Sequence, residues 1–310
     1  MKLSFVIPVF NEQDSLKILH SEILENIKKY KYEIIFIDDG SNDDSFQIMT
    51  ELAKKDENVK IIKFRKNFGK SAALQTGFDV ANGEIVFTMD ADLQDNPKEI
   101  PNFITKIEAG FDLVTGWKVK RRDPINKTWP SKIFNSVTSK TFGLKLHDYN
   151  CGFKAYQKSV INEIDVYGEM HRYIPALAIA KGFTVAEIPI EHRKREFGKS
   201  KYGIERYLRG FLDLLTVKLV TGYIRSPLYL FGRIGATFGL IGLIITIYLS
   251  VMKFWFSAPL SNRPLLYLGT LLIIIGLQFF SIGLLGELIV NQGRNHTKKK
   301  NISIEKRINL

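Results

Sequence analysis

Cysteine is almost absent: Cys151 is the single copy in 310 residues. An intramolecular disulfide framework is therefore excluded, and the composition fits a reducing compartment. Acid is scarce in one region only. Residues 1–200 carry 30 Lys and Arg against 28 Asp and Glu, whereas residues 201–310 carry 14 against 4. Most of the formal charge of +12 thus lies in the last third of the chain. The opening "MKLSFVIPVFNE" has only a short apolar run and no small-residue cleavage site, so it reads as a first strand and not as a signal peptide. Long uncharged runs are missing from the first 200 residues and then occur twice.

Those two runs are Ile234 to Met252, 19 residues, and Leu265 to Gly286, 22 residues. Each is long enough to cross a hydrocarbon layer as a helix. The short turn "KFWFSAPLSNRP" joins them and carries aromatics at interfacial depth. Arg206, Arg209, Lys218 and Arg225 precede the pair, and Arg294, Lys298, Lys299 and Lys300 follow it; the turn offers only Lys253 and Arg263. The positive-inside rule then predicts a two-helix multi-pass cell-membrane protein with both ends cytoplasmic. Segment 204–226 has apolar residues at helical spacing and cations opposite, the pattern of a helix lying on a membrane surface. The basic excess is therefore assigned to membrane and not to nucleic acid.

Residues 1–203 follow another rhythm. The runs "LSFVIPV" (3–9), "EIIFIDD" (33–39), "VKIIKF" (59–64), "EIVFTMD" (84–90) and "DLVTGW" (112–117) read as strands, with amphipathic helical stretches between them. The alternation predicts an α/β domain with a mostly parallel sheet. Such sheets bind ligands beyond the carboxyl ends of their strands, where this chain places "PVFNE", "DDGSND" and "DADLQD". The expected organisation is a catalytic domain over 1–203, a juxtamembrane amphipathic region over 204–226, a transmembrane hairpin over 227–290 (helices near 228–252 and 265–289), and a basic cytoplasmic tail over 291–310.

Two motifs need sorting. "GKSAALQTG" (69–77) contains Gly-Lys-Ser, but a phosphate-binding P-loop requires glycine where Phe64 stands, so this reads as a helix start. "VFTMDADLQD" (86–95) ends an apolar strand on carboxylates that repel one another. Residues i and i+2 of an extended chain share a face, so Asp90, Asp92 and Gln94 can address one ligand. Two carboxylates and an amide oxygen suit Mg²⁺ or Mn²⁺, and the lack of nearby histidine argues against zinc. The alternative is a solvated acidic turn.

Taken in order, "IPVFNE", "IDDGSNDDS", "RKNFGKSAALQTG", "DADLQDNP", "CGFKAY" and "REFGKSKYG" resemble glycosyltransferase family 2. Within it, the motifs look more like the polyprenyl-phosphate glycosyltransferases, the group of bactoprenol glucosyltransferases and dolichol-phosphate mannose synthases. The resemblance implies a GT-A fold and inverting, metal-dependent transfer of a hexose, UDP-glucose being the first donor expected, to a polyprenyl phosphate such as undecaprenyl phosphate. It implies that Pro8, Val9, Glu12 and Asp39 receive the nucleotide and that Asp90, Asp92 and Gln94 hold the metal. Arg195, Ser200 and Lys201 would close over the donor phosphates, Arg121 and Arg122 would meet the acceptor phosphate, and Asp148 would be an acceptor-side acid. Cys151-Gly152-Phe153 stands where the bacterial glucosyltransferase form has Gly-Asp-Phe, and is nearer the mannose-synthase form. Alternatives are a GDP-mannose or UDP-amino-sugar donor, a processive polysaccharide synthase, and a non-catalytic membrane scaffold. The processive reading lacks the Gln-x-x-Arg-Trp motif. Self-association into a homo-oligomer is left open.

Overall fold

Runs of Val, Ile and Phe with small or polar ends build the strands where the sequence places them. The structure is a computed structural model, and it describes residues 1–119, 139, 143–193, 217, 227–256, 259, 263–293 and 304–309. In chain order the strands are β1 (Lys2–Val9), β2 (Lys31–Asp38), β3 (Val59–Phe64), β4 (Ile85–Thr88), β5 (Leu113–Lys118), β6 (Lys154–Gln157), β7 (Val185–Ile190) and β8 (Ile304–Ile308). The helices are α1 (Leu16–Asn26), α2 (Ser45–Lys55), α3 (Lys70–Val80), α4 (Ile100–Glu108), α5 (Lys158–Glu163), α6 (Ile174–Ala180), α7 (Pro227–Phe256) and α8 (Pro264–Gly293). The five predicted strands are all present, with ends shifted by at most two residues. Residues 204–216 and 218–226, where a membrane-surface helix is expected, lie outside the described residues, as do Arg121, Arg122, Arg195, Ser200 and Lys201.

The chain divides into two units, one of residues 1–217 with 300–310, the other of residues 218–299. In the first, eight strands form one sheet in the order β7-β5-β6-β4-β1-β2-β3-β8. β1 pairs in parallel with both β2 and β4, while β6 and β8 run antiparallel to their neighbours. Strand order therefore reverses between β1 and β4, and the crevice at their carboxyl ends is where an open sheet of this kind takes a ligand. The core beneath is aromatic. Phe5 stacks on Phe87 at 5.0 Å between centroids, Phe103 lies 4.3 Å from Phe153, and Phe78 meets Tyr156 edge-on at 5.4 Å. Such pairs add to the burial of large apolar surface and hold the strand ends firm.

Within the segment read as a basic tail, residues 304–308 form a strand that pairs antiparallel with β3. Ile308 packs against the core, and Asn309 Nδ2 donates to the carbonyls of Ala53 and Val59 at 3.3 and 3.1 Å. β8 thus covers an edge that would otherwise present unpaired backbone groups.

In the second unit α7 and α8 are both long and apolar enough to cross a membrane. Glycines let the two backbones approach. A Cβ on Gly235 would fall 2.6 Å from the carbonyl of Gly276, and one on Gly242 would fall 2.6 Å from that of Gly269. Small residues in register are the usual means of close helix packing where no hydrophobic drive exists between helices.

Candidate active site

Three strand ends meet at the crevice. β1 ends on Val9, whose partner in register is Asp38 of β2, and the Asp39 N–H donates to the Val9 carbonyl at 2.8 Å. Asp39 is buried, and its two oxygens accept the backbone N–H groups of Phe68 at 2.6 Å and Gly69 at 2.9 Å. Burial pushes its carboxyl up to about 6 against the pull of those two donors. Asp39 therefore ties the ends of β1 and β2 to the start of α3. Gly40, at φ 77°, makes the turn next to it, and a Cβ there would strike the Lys66 backbone at 2.6 Å. Pro8 and Val9 lie on this wall, and the Glu12 N–H donates to Ser45 Oγ at 2.9 Å.

β4 stops at Thr88, so the acids beyond it are not presented by strand alternation. Residues 91–93 turn, with Leu93 at φ 60°, and the Gln94 N–H donates to Asp92 Oδ1 at 3.2 Å. The turn is an Asx-type closure, which Asp favours. It parts the three acids of the sequence motif. Asp95 is buried and faces Lys118 Nζ at 3.2 Å, away from the ligand role. Asp90 and Asp92 remain at the crevice.

Asp90 is seated with care. A Cβ on Gly152 would lie 2.5 Å from Asp90 Oδ2, 2.6 Å from its Cγ and 2.9 Å from Oδ1, so only glycine leaves room for the carboxylate. Lys70, the first residue of α3, places its ammonium on Asp90 Oδ1. Burial would raise the Asp90 carboxyl, but Lys70, with Lys118 behind it, outweighs burial and holds it down at about 2. Lys118 is itself held protonated: burial works against its charge, but Asp95 overrides it, helped by Asp90 and Asp148. Asp148 belongs to this cluster. It is buried, its N–H donates to Glu187 Oε1 at 2.9 Å, and its Oδ1 accepts the Asn150 N–H at 3.1 Å. Lys154 donates to the Cys151 carbonyl and fixes the turn that carries Gly152; its own burial lowers its pKa.

Ser71, next to Lys70, holds His171: Ser71 Oγ lies 3.0 Å from Nδ1 and accepts the His171 N–H at 3.1 Å. Burial, then Lys70 and Arg172, drives the imidazole well below its ordinary pKa, so it is neutral at physiological pH. Gly-Lys-Ser is thus a helix start, as read, but its Lys and Ser both belong to the site, which sequence reasoning missed. Gly152 and Lys118 were missed as well; glycine directly after Cys151 was the available signal.

The donor set fits a hard divalent cation. Asp90 and Asp92 offer the carboxylate oxygens that such a cation takes, and Lys70 now occupies Asp90 Oδ1. Among the described residues no group of three or more His, Cys, Asp and Glu side chains has metal-binding spacing. A cation held by Asp90 and Asp92 would therefore take its other positions from ligand oxygens or water.

The mixed, mostly parallel sheet, with its strand order reversing between β1 and β4, is a GT-A-like fold. The model for "Glycosyl transferase family 2" matches residues 4–165, and the chain belongs to that family and is a glycosyltransferase. It is similar to dodecaprenyl-phosphate galacturonate synthase of Rhizobium johnstonii, 36% identical over 296 residues, with 93% of this chain and 88% of the relative covered. It is also similar to undecaprenyl-phosphate 4-deoxy-4-formamido-L-arabinose transferase of Photorhabdus laumondii, 36% identical over 292 residues, covering 93% and 88%. Among solved structures, glucosyl-3-phosphoglycerate synthase of Mycobacterium tuberculosis, in complex with Mn²⁺ and UDP-glucose, shares the fold with a TM-score of 0.55. That likeness is 15% identical and covers 71% of this chain and 78% of the other.

Proposed function

We propose that the chain transfers a sugar from a nucleotide-sugar to the phosphate oxygen of a polyprenyl phosphate. The carrying observation is Asp90 at the switch point, pressed on Gly152 and already paired with a cation, Lys70. The names of its relatives, which pair polyprenyl-phosphate acceptors with galacturonate and 4-deoxy-4-formamido-L-arabinose, support the acceptor class. Pro8, Val9, Glu12 and Asp39 receive the nucleotide. Asp90, Asp92 and Gln94 would hold Mg²⁺ or Mn²⁺, which when bound would neutralise charge on the departing diphosphate. Lys70, next to that carboxylate, is placed to pass from Asp90 to the diphosphate oxygens. In this reading Arg195, Ser200 and Lys201 close over the donor phosphates. The acceptor phosphate, met by Arg121 and Arg122, is anionic near neutral pH and attacks the anomeric carbon with inversion. Asp148 orients it, and no strong base is needed.

The catalytic unit is assigned to the cytoplasmic face. Cations flank the helical pair on both outer sides, and β8 returns to the sheet that β1 began. The sugar is settled by assay: purified full-length protein, polyprenyl phosphate, and radiolabelled UDP-glucose, UDP-galacturonate, UDP-amino-sugar and GDP-mannose. Label moving into the organic phase with one donor, only with Mg²⁺ or Mn²⁺ present, is the expected result. Release of free sugar alone, or transfer undiminished by EDTA, would overturn the reading.

A further inference from the structure

The acidic turn lies between two fixed points. One is the end of β4. The other is Asn96, and Asn96 is fixed mainly by a residue that belongs to no acidic motif. Arg193 Nη2 donates to Asn96 Oδ1 at 2.7 Å, while its Nη1 donates to both oxygens of Glu22, on α1, at 2.8 Å each. The same Asn96 Oδ1 accepts the Lys98 N–H at 3.1 Å, starting the single 3-10 turn that leads into α4, and Asn96 Nδ2 donates to Glu191 at 2.9 Å. The backbones are stitched too. The Arg193 N–H donates to the Gln94 carbonyl at 2.9 Å, and Asp95 bridges to His192.

These contacts join segments 97 and 171 residues apart in sequence. A loop that merely connects β4 to α4 has no need of an arginine from beyond β7 gripping both its last residue and α1, 171 residues away in sequence. A planar guanidinium with five donors can read Asn96 and Glu22 at once, which lysine cannot. We infer that Arg193 is a positioning residue: through Asn96 and Glu22 it sets the turn that holds Asp92 and Gln94, and so sets cation affinity without touching the cation. The inference rests on the metal reading above.

Its test separates the two. Full-length protein in detergent is compared as parent, Arg193→Ala, Arg193→Lys and Glu22→Gln, by Mn²⁺ binding in the presence of UDP (electron paramagnetic resonance of free Mn²⁺), thermal unfolding, and KM for each substrate. Loss of a residue that orients ligands costs about ten- to hundredfold in metal affinity. Arg193→Ala is expected to weaken Mn²⁺ binding by that factor, with KM for polyprenyl phosphate changed less than about twofold. Arg193→Lys and Glu22→Gln, which keep most of the packing, should fall in between. A variant set that lowers the unfolding temperature while Mn²⁺ affinity stays at the parent value overturns the inference and leaves the metal reading standing. A parent that binds no Mn²⁺ with UDP overturns both.

Discussion

Replacing Gly152 by alanine asks whether the seat of Asp90 matters to chemistry. The added Cβ would lie 2.5 Å from Oδ2 and 2.6 Å from Cγ of Asp90. Ordinary contact between such atoms begins near 3.5 Å, so the carboxylate must retreat by about 1 Å. It has little slack, because Lys70 holds Oδ1 and Met89, the residue before it, is buried. A misplacement of about 1 Å in a reacting constellation costs on the order of a hundredfold in turnover. Little stability should be lost. Gly152 has no positive φ that alanine would strain, and what it crowds is the end of one side chain just past the carboxyl end of β4. Gly116→Ala is the contrasting control. There a Cβ would meet Ile190 Cδ1 at 2.7 Å and Cys151 Sγ at 3.0 Å, an overpacking that costs about 1–3 kcal/mol of stability. The assay is transfer of labelled sugar to polyprenyl phosphate across a Mn²⁺ titration, with thermal unfolding alongside. Gly152→Ala should lose turnover and need more Mn²⁺ at nearly the parent unfolding temperature. Parent turnover with the parent Mn²⁺ requirement would refute the reasoning, because the carboxylate would then have moved without consequence.

Three further outcomes are expected. Asp92→Asn keeps the turn's shape but removes one anionic ligand; it should abolish transfer and Mn²⁺-dependent nucleotide binding with the fold intact, and parent metal dependence would count against the site. Glu33 is buried. Burial would raise its pKa, but Lys60, Ser4, Asn82 and Lys2 outweigh it and hold it at about 2, against 4.5 when free. A depressed carboxyl stabilises above its unfolded pKa and loses that contribution as the pH falls from about 4.5 to 2, here about 3 kcal/mol. Glu33→Gln should lower the unfolding temperature at pH 7 and flatten its acid dependence over that window, and an unchanged acid profile would exclude the carboxylate as its source. For orientation, Ser261→Cys in a Cys151→Ser background should react with an impermeant reagent on intact cells, whereas a cysteine at position 300 should not; the reverse pattern would place the catalytic unit outside.

How much of this was legible follows from what each feature depends on. The strands were readable because parallel strands buried on both faces are near-continuous apolar runs, as in "EIIFID". The acids at the end of β4 were readable for the same reason: charge after such a run is conspicuous. Their presentation was not, because the alternation argument assumes an extended chain, and Leu93 adopts φ 60° instead. Lys70 looked like a failed P-loop because the motif was tested against one chemistry only. Its actual role depends on Asp90, 20 residues away, and on the angle at which α3 leaves β3. Arg193, Gly152 and Lys118 act through contacts between segments far apart in sequence, which no local pattern encodes. β6 and β7 were not read at all; β6 is four residues long and gives too little periodicity.

The tail shows the same limit and has a consequence for topology. "IEKRI" sets three charged residues in a row between two isoleucines, so after a run of lysines it reads as solvated tail. Its pairing with β3 means that the chain leaves the first unit before residue 218 and has returned to it by residue 304. A chain that crosses a membrane and comes back to one sheet must cross an even number of times, and two helices of spanning length meet that condition. The cations outside both helices point to the same hairpin from electrostatics alone. The two arguments are independent, since one rests on hydrogen bonds at a sheet edge and the other on charge. The pairing, however, says only that both ends share a side. The choice of side rests on the charges, and labelling at Ser261 decides it.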